Sequence, residues 1–328
     1  MRVLIAGLGS IGKRHLRNLL TLLPDAEVAG LRRSAQGSPS PAGISRVFYD
    51  LATAVEWRPQ AALICTPAPL HIEEATALAQ AGAHLFIEKP VSDTRAGLDQ
   101  LIHTVRRRSL VAAVGYQFRS YGPLKAAHQF VHSGQLGRVL YIRATVGQYL
   151  PDWRPGTDHR RGVSARSESG GGVLLELSHE IDYVRWIAGE FKEVFARTAR
   201  LDEVSVDVED FAELIATTHS GVVGSIHMDM LDRARNRSCR IVGTGGTLEW
   251  DLGDQTLKLF HPAAASWDVI FDGHSGGVDA AYMAELEDFF RCVRDGSQPA
   301  VTLGDAAQTL DVVLAAKESA ATMRLVTL

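Results

Sequence analysis

The sequence predicts an α/β protein built from two domains. Short apolar strands alternate with helical segments over the first 118 residues, which indicates a doubly wound parallel sheet. A glycine-rich turn joins the first of these strands to the first helix. Beyond this region the pattern changes to a run of strands, which indicates a C-terminal α/β domain with a large, mostly antiparallel open sheet. The length of 328 residues fits two domains of roughly 150 residues each.

The first domain is predicted to span residues 1–118. Its strands are short and apolar, and its helices carry apolar residues at helical spacing. The predicted strands are Val3–Ala6, Glu27–Arg32, Arg46–Tyr49, Ala61–Cys65, His84–Ile87 and Leu110–Gly115, and the predicted helices are Ile11–Leu23, Leu51–Trp57, Leu70–Ala81 and Asp93–Arg108.

The second domain is predicted to span residues 119–328. Tyr149–Ser169 is rich in Arg, Pro, Gly and Ser without periodicity, which is typical of a long ordered loop. The glycine run at 170–172 is predicted to open one helix that continues to Ile187. Strands are expected at Val139–Val146, Val194–Arg200, Phe211–Thr218, Val222–Met228, Cys239–Gly243, Thr247–Trp250 and Leu257–Phe260, and helices at Pro123–His132, Ala280–Arg294 and Asp305–Thr322.

The composition excludes several classes of protein. A net charge of −4 gives no basic surface for nucleic acid. The cysteines Cys65, Cys239 and Cys292 form no CxxC pair, which argues against a disulfide framework and a cysteine-built zinc site. No apolar run approaches the ~20 residues that a membrane span needs, and glycines and basic residues directly after Ala6 argue against a signal peptide. We therefore expect a cytoplasmic protein that binds neither nucleic acid nor membrane.

The glycine-rich turn has the pattern of a dinucleotide-binding site. Gly7, Gly9 and Gly12 follow a predicted strand and, with Ser10 and Ile11, open a predicted helix. The first glycine permits the tight turn, the second lets the backbone approach a pyrophosphate, and the third allows close helix–strand packing. A glycine turn used only for packing is the alternative.

The end of the second strand indicates which dinucleotide binds. NAD enzymes usually place an acidic residue there to hold the ribose 2′-hydroxyl, whereas this chain has Arg32, Arg33 and Ser34. Arginine and serine suit a 2′-phosphate, so the sequence predicts a preference for NADP, with NAD as a second cofactor. The alternative is an exposed arginine pair that tolerates either one.

A lysine follows the fifth predicted strand, within Glu88-Lys89-Pro90. Ligands of open parallel sheets bind beyond the carboxyl ends of the strands, so Lys89 is expected to face the cofactor. A surface lysine on a loop is the alternative.

A third group of polar residues follows the glycine run. Glu176, His179 and Asp182 recur every three residues, so that neighbours could touch on one helix. A histidine beside a carboxylate is a tunable proton carrier near neutral pH. The alternative is an exposed polar stripe whose opposite face packs inward.

In their order and separations these three motifs resemble the Gfo/Idh/MocA family of oxidoreductases, which includes glucose–fructose oxidoreductase and inositol dehydrogenase. Two further segments, Cys65-Thr66-Pro67 with His71 and Gly115–Arg119, are also similar to that family. The resemblance implies a Rossmann domain, NAD(P)-dependent hydride transfer at a hydroxyl or keto carbon of a sugar, sugar acid, nucleotide sugar or cyclitol, and a homodimer or homotetramer. It also implies cofactor contacts from Thr66, Pro67, His71, Glu88, Lys89 and Gln117, and a substrate contact from Arg119.

The resemblance and the residues together suggest a mechanism. Lys89 would hydrogen-bond the substrate oxygen, His179 would take or give its proton, and Asp182 would hold or tune these groups. Many members have Asp-x-x-x-His where this chain has Glu176-x-x-His179, so Glu176 either supports the histidine and the substrate or faces the helix interior.

The long loop is a candidate substrate clamp, and its arginines suggest an anionic substrate, because guanidinium groups match carboxylate and phosphate. Ion pairs between subunits are the alternative. The proposed clamp residues are Trp153, Arg154, His159, Arg160, Arg161 and Arg166.

No metal is expected. The alternative to an enzyme is a dinucleotide-binding sensor that has lost its chemistry, against which the presence of both Lys89 and His179 argues.

Overall fold

The computed structural model describes residues 1–33, 40–273 and 277–328. They form two compact units. The first contains Met1–Gln117 and Tyr282–Ala307, and the second contains Phe118–Ala281 and Gln308–Leu328. The sequence prediction placed Tyr282–Ala307 in the second domain. In the structure this segment packs on the first sheet, where the Val114 N–H donates to the Val301 carbonyl at 3.1 Å.

The first unit is a six-stranded parallel sheet in the order β3-β2-β1-β4-β5-β6, as the sequence predicts. The order reverses next to β1, and in doubly wound sheets the ligand crevice lies at that point. The strands are β1 (Arg2–Ala6), β2 (Glu27–Leu31), β3 (Arg46–Phe48), β4 (Ala61–Ile64), β5 (His84–Glu88) and β6 (Ala112–Gly115), and the helices are α1 (Ser10–Leu22), α2 (Leu51–Glu56), α3 (His71–Gln80) and α4 (Leu98–Arg107).

Burial on both faces explains why these strands are apolar throughout. Every residue of β4 is buried, and so are the last four residues of β1. Leu16 and Leu19 of α1 pack into the same core, together with Phe289 from the C-terminal segment. The sheet therefore forms a rigid base from which the loops at its carboxyl edge project.

The second unit is a nine-stranded sheet in the order β14-β13-β12-β11-β7-β10-β9-β8-β15. Among the described strands of this second sheet, only the β7–β10 pair is parallel, so the predicted, mostly antiparallel sheet is confirmed. The strands are β7 (Val139–Gly147), β8 (Phe191–Ala199), β9 (Phe211–Thr218), β10 (Val223–Asp229), β11 (Asn236–Gly243), β12 (Gly246–Asp251), β13 (Thr256–His261), β14 (Ser266–Asp272) and β15 (Val326–Thr327).

The two faces of this sheet differ in exposure. Along β9 the alternate residues Ala212, Leu214 and Ala216 are buried, whereas Ile215 between them is 57% exposed.

None of the described helices is long and apolar enough to cross a membrane. The other α-helices in the described part of the chain are α5 (Gly122–His132), α6 (Val173–Glu176), α7 (His179–Ala188), α8 (Gly277–Asp295) and α9 (Leu303–Thr322).

Candidate active site

The glycine turn between β1 and α1 has the shape that a diphosphate requires. Gly7 adopts a φ of +90°, and a Cβ there would lie 2.5 Å from the Cys65 carbonyl oxygen. A Cβ on Gly12 would collide with the Gly7 carbonyl oxygen. A Cβ on Gly9, by contrast, would meet no described atom within 4 Å. Packing within the protein thus requires glycine at positions 7 and 12, whereas Gly9 leaves open space beside the backbone.

The N-terminus of α1 provides the complementary charge. Gly9 is the N-cap of this helix, so no side chain caps the first backbone N–H groups. The first turn of α1, all of whose residues the structure describes, carries no acidic side chain. Its backbone N–H groups and the positive end of the helix dipole therefore suit an anionic ligand. Gly7, Gly9, Ser10, Ile11 and Gly12 fit the pyrophosphate of a dinucleotide.

The two arginines after β2 lie where the adenosine ribose is expected. The Arg32 guanidinium lies 5.6 Å from the Tyr49 ring centroid and donates to the Tyr49 hydroxyl at 3.4 Å. The Arg33 side chain is 63% exposed, 3.8 Å from the Glu73 carboxylate. Such a long, exposed pair contributes little to stability and can yield to a phosphate. The third predicted residue, Ser34, lies outside the described residues.

Lys89 directly follows β5, at the carboxyl edge of the sheet. The loop that contains Lys89 is held in place by His71 of α3. The buried His71 ring places Nδ1 3.0 Å from the Pro90 carbonyl oxygen and Nε2 2.7 Å from the Thr66 carbonyl oxygen. Burial lowers the pKa of His71. We predicted a cofactor contact for His71, but its ring nitrogens instead join the loops after β4 and β5.

The other predicted cofactor contacts lie on the same edge of the first unit. The Thr66 hydroxyl donates to Glu74 at 2.7 Å, and Pro67 precedes a short 3₁₀ turn at Ala68–Leu70. The Gln117 amide is buried and donates to the Tyr282 hydroxyl at 3.1 Å.

A buried cluster that the sequence does not reveal includes Glu88, the residue before Lys89. His15 of α1, Glu88 of β5 and Glu285 of α8 place one ligand-type atom each within 4.8 Å of the others. Burial, followed by the charge of Glu88, raises the pKa of Glu285 well above its usual value. Because His15 Nε2 and Glu88 Oε1 are only 2.6 Å apart, this contact is a direct hydrogen bond, which a metal ion between the two atoms would have to open.

The predicted helix through the GGG segment is wrong in one respect. The chain forms a single turn at Val173–Glu176, breaks at Leu177 and Ser178, and starts α7 at His179. Glu176 and His179 therefore do not share a continuous helix, and the spacing argument that paired them fails. His179 is 5% exposed and lies against the edge of Phe118, with ring centroids 5.2 Å apart.

Asp182 lies one turn beyond His179 on α7 and is completely buried. Both of its oxygens accept hydrogen bonds from Arg119, at 2.9 and 2.7 Å, and Oδ1 also accepts from the Thr309 hydroxyl at 3.1 Å. A carboxylate held in this way fits the holding role predicted for Asp182 and leaves proton transfer to His179. Arg119, predicted to contact substrate, is likewise 7% exposed and committed to this pair.

The candidate clamp loop neutralises much of its own charge. Asp158 accepts two hydrogen bonds from the Arg160 guanidinium, at 2.8 and 3.0 Å, which lowers the pKa of Asp158 to about 2. The same carboxylate lies 3.8 Å from Arg161, and Arg166 pairs with Glu168.

The remaining clamp residues are held by backbone contacts. Trp153 Nε1 donates to the Gln148 carbonyl at 3.0 Å, and His159 Nε2 lies 2.8 Å from the Val204 carbonyl oxygen. Arg154 is exposed, and its carbonyl accepts from the Thr157 hydroxyl at 2.7 Å. The loop is therefore held by contacts within its own sequence and by the contact of His159 with Val204.

Comparison with known proteins decides the family. Residues 1–116 match the model of the oxidoreductase family with an NAD-binding Rossmann fold, and residues 124–249 match the GFO/IDH/MocA C-terminal domain. The chain belongs to the Gfo/Idh/MocA oxidoreductase family. Both matched regions agree with the resemblance inferred from the motifs. The chain is thus an NAD(P)-dependent oxidoreductase that acts on CH–OH groups, and the non-catalytic alternative gains no support.

Individual members of the family cover almost the whole chain. Myo-inositol 2-dehydrogenase of Thermotoga maritima is 27% identical over 97% of this chain and 96% of its own length. The scyllo-inositol 2-dehydrogenase (NAD(+)) of Bacillus subtilis is 26% identical over 97% and 94%. A levoglucosan dehydrogenase in complex with NADH and levoglucosan superposes with a TM-score of 0.88 at 22% identity, covering 100% of this chain and 99% of its own, which supports the fold.

Proposed function

We propose that this oxidoreductase acts on a neutral sugar or cyclitol. The observation that carries the proposal is the close pairing within the candidate clamp loop, where Arg160 donates two hydrogen bonds to Asp158 and Arg166 pairs with Glu168. An anionic substrate would have to displace these carboxylates. The inositol dehydrogenases among the relatives support a neutral substrate. This proposal replaces the anionic preference inferred from the sequence.

The chemistry requires a proton acceptor and a stabiliser of negative charge on the substrate oxygen. We assign proton transfer to His179, because imidazole changes its charge near neutral pH. Lys89 would donate a hydrogen bond to the same oxygen and stabilise charge as the proton leaves. A nicotinamide cofactor held at the glycine turn would supply the acceptor for the hydride. The buried Arg119–Asp182 pair would keep α7, and with it His179, in position.

The preference for NADP remains part of the proposal. Two arginines follow β2 at the place where NAD enzymes usually carry an acid, and the exposed Arg33 is only loosely paired with Glu73. A 2′-phosphate would replace that weak contact with a charge-assisted hydrogen bond.

We also propose a cytoplasmic homodimer or homotetramer that assembles through the exposed face of the nine-stranded sheet. This face carries large apolar side chains at Ile215, Val223 and Val269, which are 57%, 42% and 57% exposed. Light scattering should give a multiple of the chain mass, and Ile215→Lys should shift it towards the monomer. A monomeric unmodified protein would contradict this part.

The experiment that tests the proposal is a substrate panel with both cofactors. Neutral cyclitols and sugars, their uronic acids and nucleotide sugars are compared by the appearance of reduced nicotinamide. The proposal expects the highest kcat/KM for a neutral compound. A uronic acid or nucleotide sugar as the best substrate, with a KM raised by Arg160→Ala, would contradict it.

A further inference from the structure

The Glu88-Lys89-Pro90 segment is held on both sides of the lysine by a buried histidine. On one side His71 of α3 reaches the Pro90 carbonyl oxygen. On the other side His15 of α1 places Nε2 2.6 Å from Glu88 Oε1. His15 is 0% exposed and Glu88 is 6% exposed, so water does not compete for this hydrogen bond.

The contact continues from Glu88 to the lysine itself. The second carboxylate oxygen, Oε2, accepts a hydrogen bond from the Lys89 backbone N–H at 3.2 Å. One carboxylate thus joins a helix that starts at the glycine turn to the backbone of Lys89. The His15 ring is confined by the edges of Phe86 and Tyr282, with centroids 5.1 and 6.2 Å away.

Glu285 of α8 lies beside the Glu88 carboxylate and affects its need for a hydrogen-bond donor. It is 8% exposed, and both of its oxygens are buried without a hydrogen-bond partner among the described residues. Burial and the charge of Glu88 raise the pKa of Glu285, which favours the neutral form of Glu285 and leaves the negative charge on Glu88. The hydrogen bond from His15 stabilises this charge and fixes the rotamer in which Glu88 accepts from Lys89.

We infer that His15 is a positioning residue, which acts through Glu88 to fix the backbone at Lys89. The inference rests on the proposed role of Lys89 in catalysis. A displacement of about 1 Å at a catalytic group can cost on the order of 10²-fold in rate. His15 thereby links the helix at the cofactor's phosphates to the group that binds the substrate oxygen.

The test is a double-mutant cycle on kcat. His15→Leu removes the donor, and it is made in the unmodified enzyme and in Lys89→Ala. We expect a loss on the order of 10- to 100-fold in the first background and less than about 2-fold in the second. His15→Gln, whose amide can donate to Glu88, should recover most of the loss. His84→Leu, at the opposite end of β5, is the matched control and should keep kcat.

The outcomes separate this inference from the proposed function. If Lys89→Ala keeps kcat, the proposed role of the lysine is wrong. If Lys89→Ala loses kcat but His15→Leu costs the same factor in both backgrounds, or costs nothing, the positioning role is wrong. Should His15→Leu fail to fold, the same cycle is run with Glu88→Gln, which removes the carboxylate charge that His15 and the Lys89 N–H share. An equal loss in both backgrounds would again overturn the inference.

Discussion

Breaking the ion pair between Arg119 and Asp182 should destabilise the second unit strongly. Asp182→Ala leaves the Arg119 guanidinium buried without its carboxylate, and removing one partner of a buried pair costs about 3–5 kcal/mol. The lost hydrogen bond from Thr309 to the charged carboxylate adds about 1.5–3 kcal/mol. The sum of roughly 4.5–8 kcal/mol is a large share of the ~5–15 kcal/mol by which folded proteins are stable.

The assay is urea denaturation followed by tryptophan fluorescence, with kcat measured on the folded enzyme. Thr309→Val is the comparison variant and should cost less than Asp182→Ala, about 1.5–3 kcal/mol, because it removes the hydroxyl contacts with Asp182 and Arg185 but leaves the Arg119–Asp182 pair intact. Replacing both partners, as Arg119→Met with Asp182→Leu, should recover much of the stability, because no unpaired charge remains. If Asp182→Asn keeps the stability within about 1 kcal/mol and lowers kcat by about 10²–10⁴-fold, Asp182 handles protons and our reasoning is refuted.

Three further perturbations follow from the first unit. The pKa of Glu285 is raised in the folded state, so the unmodified protein should lose stability as pH rises above about 4.5, by up to ~1.4 kcal/mol per pH unit. Denaturation of Glu285→Gln at several pH values should lack this contribution to the slope. Equal slopes would show that Glu285 titrates normally. Arg32→Ala with Arg33→Ala should raise the Kd for NADP(H) more than that for NAD(H) by fluorescence titration, and an equal change in both would contradict the phosphate contact. Gly12→Ala should destabilise the fold, whereas Gly9→Ala should keep the melting temperature and weaken cofactor binding. The same melting temperature for both variants would be inconsistent with the turn geometry.

The sequence predicts the first sheet well because its signals are local. Each parallel strand is buried on both faces and appears as a short apolar run, and the turn at Gly7 requires a residue without a Cβ. The alternating burial of β9 is equally local, since successive side chains point to opposite faces of the sheet.

Contacts between distant segments carry no such local signal. The partner of Asp182 is Arg119, and the partner of His15 is Glu88, so periodicity within one segment reveals neither pair. The break at Leu177 was missed because the apolar residues around it fit a continuous helix. Tyr282–Ala307 was placed in the wrong unit because an amphipathic helix does not show which sheet it packs on.

The most direct test of the account is the rate of nicotinamide reduction with a neutral cyclitol or sugar, compared between the unmodified enzyme, Lys89→Ala and His179→Ala. The account predicts turnover in the unmodified enzyme and a loss in kcat of about 10²–10³-fold for the lysine variant and about 10²–10⁴-fold for the histidine variant, with cofactor Kd nearly unchanged. Full activity in either variant, with the fold and cofactor binding intact, would contradict the assignment of Lys89 and His179 as the catalytic residues.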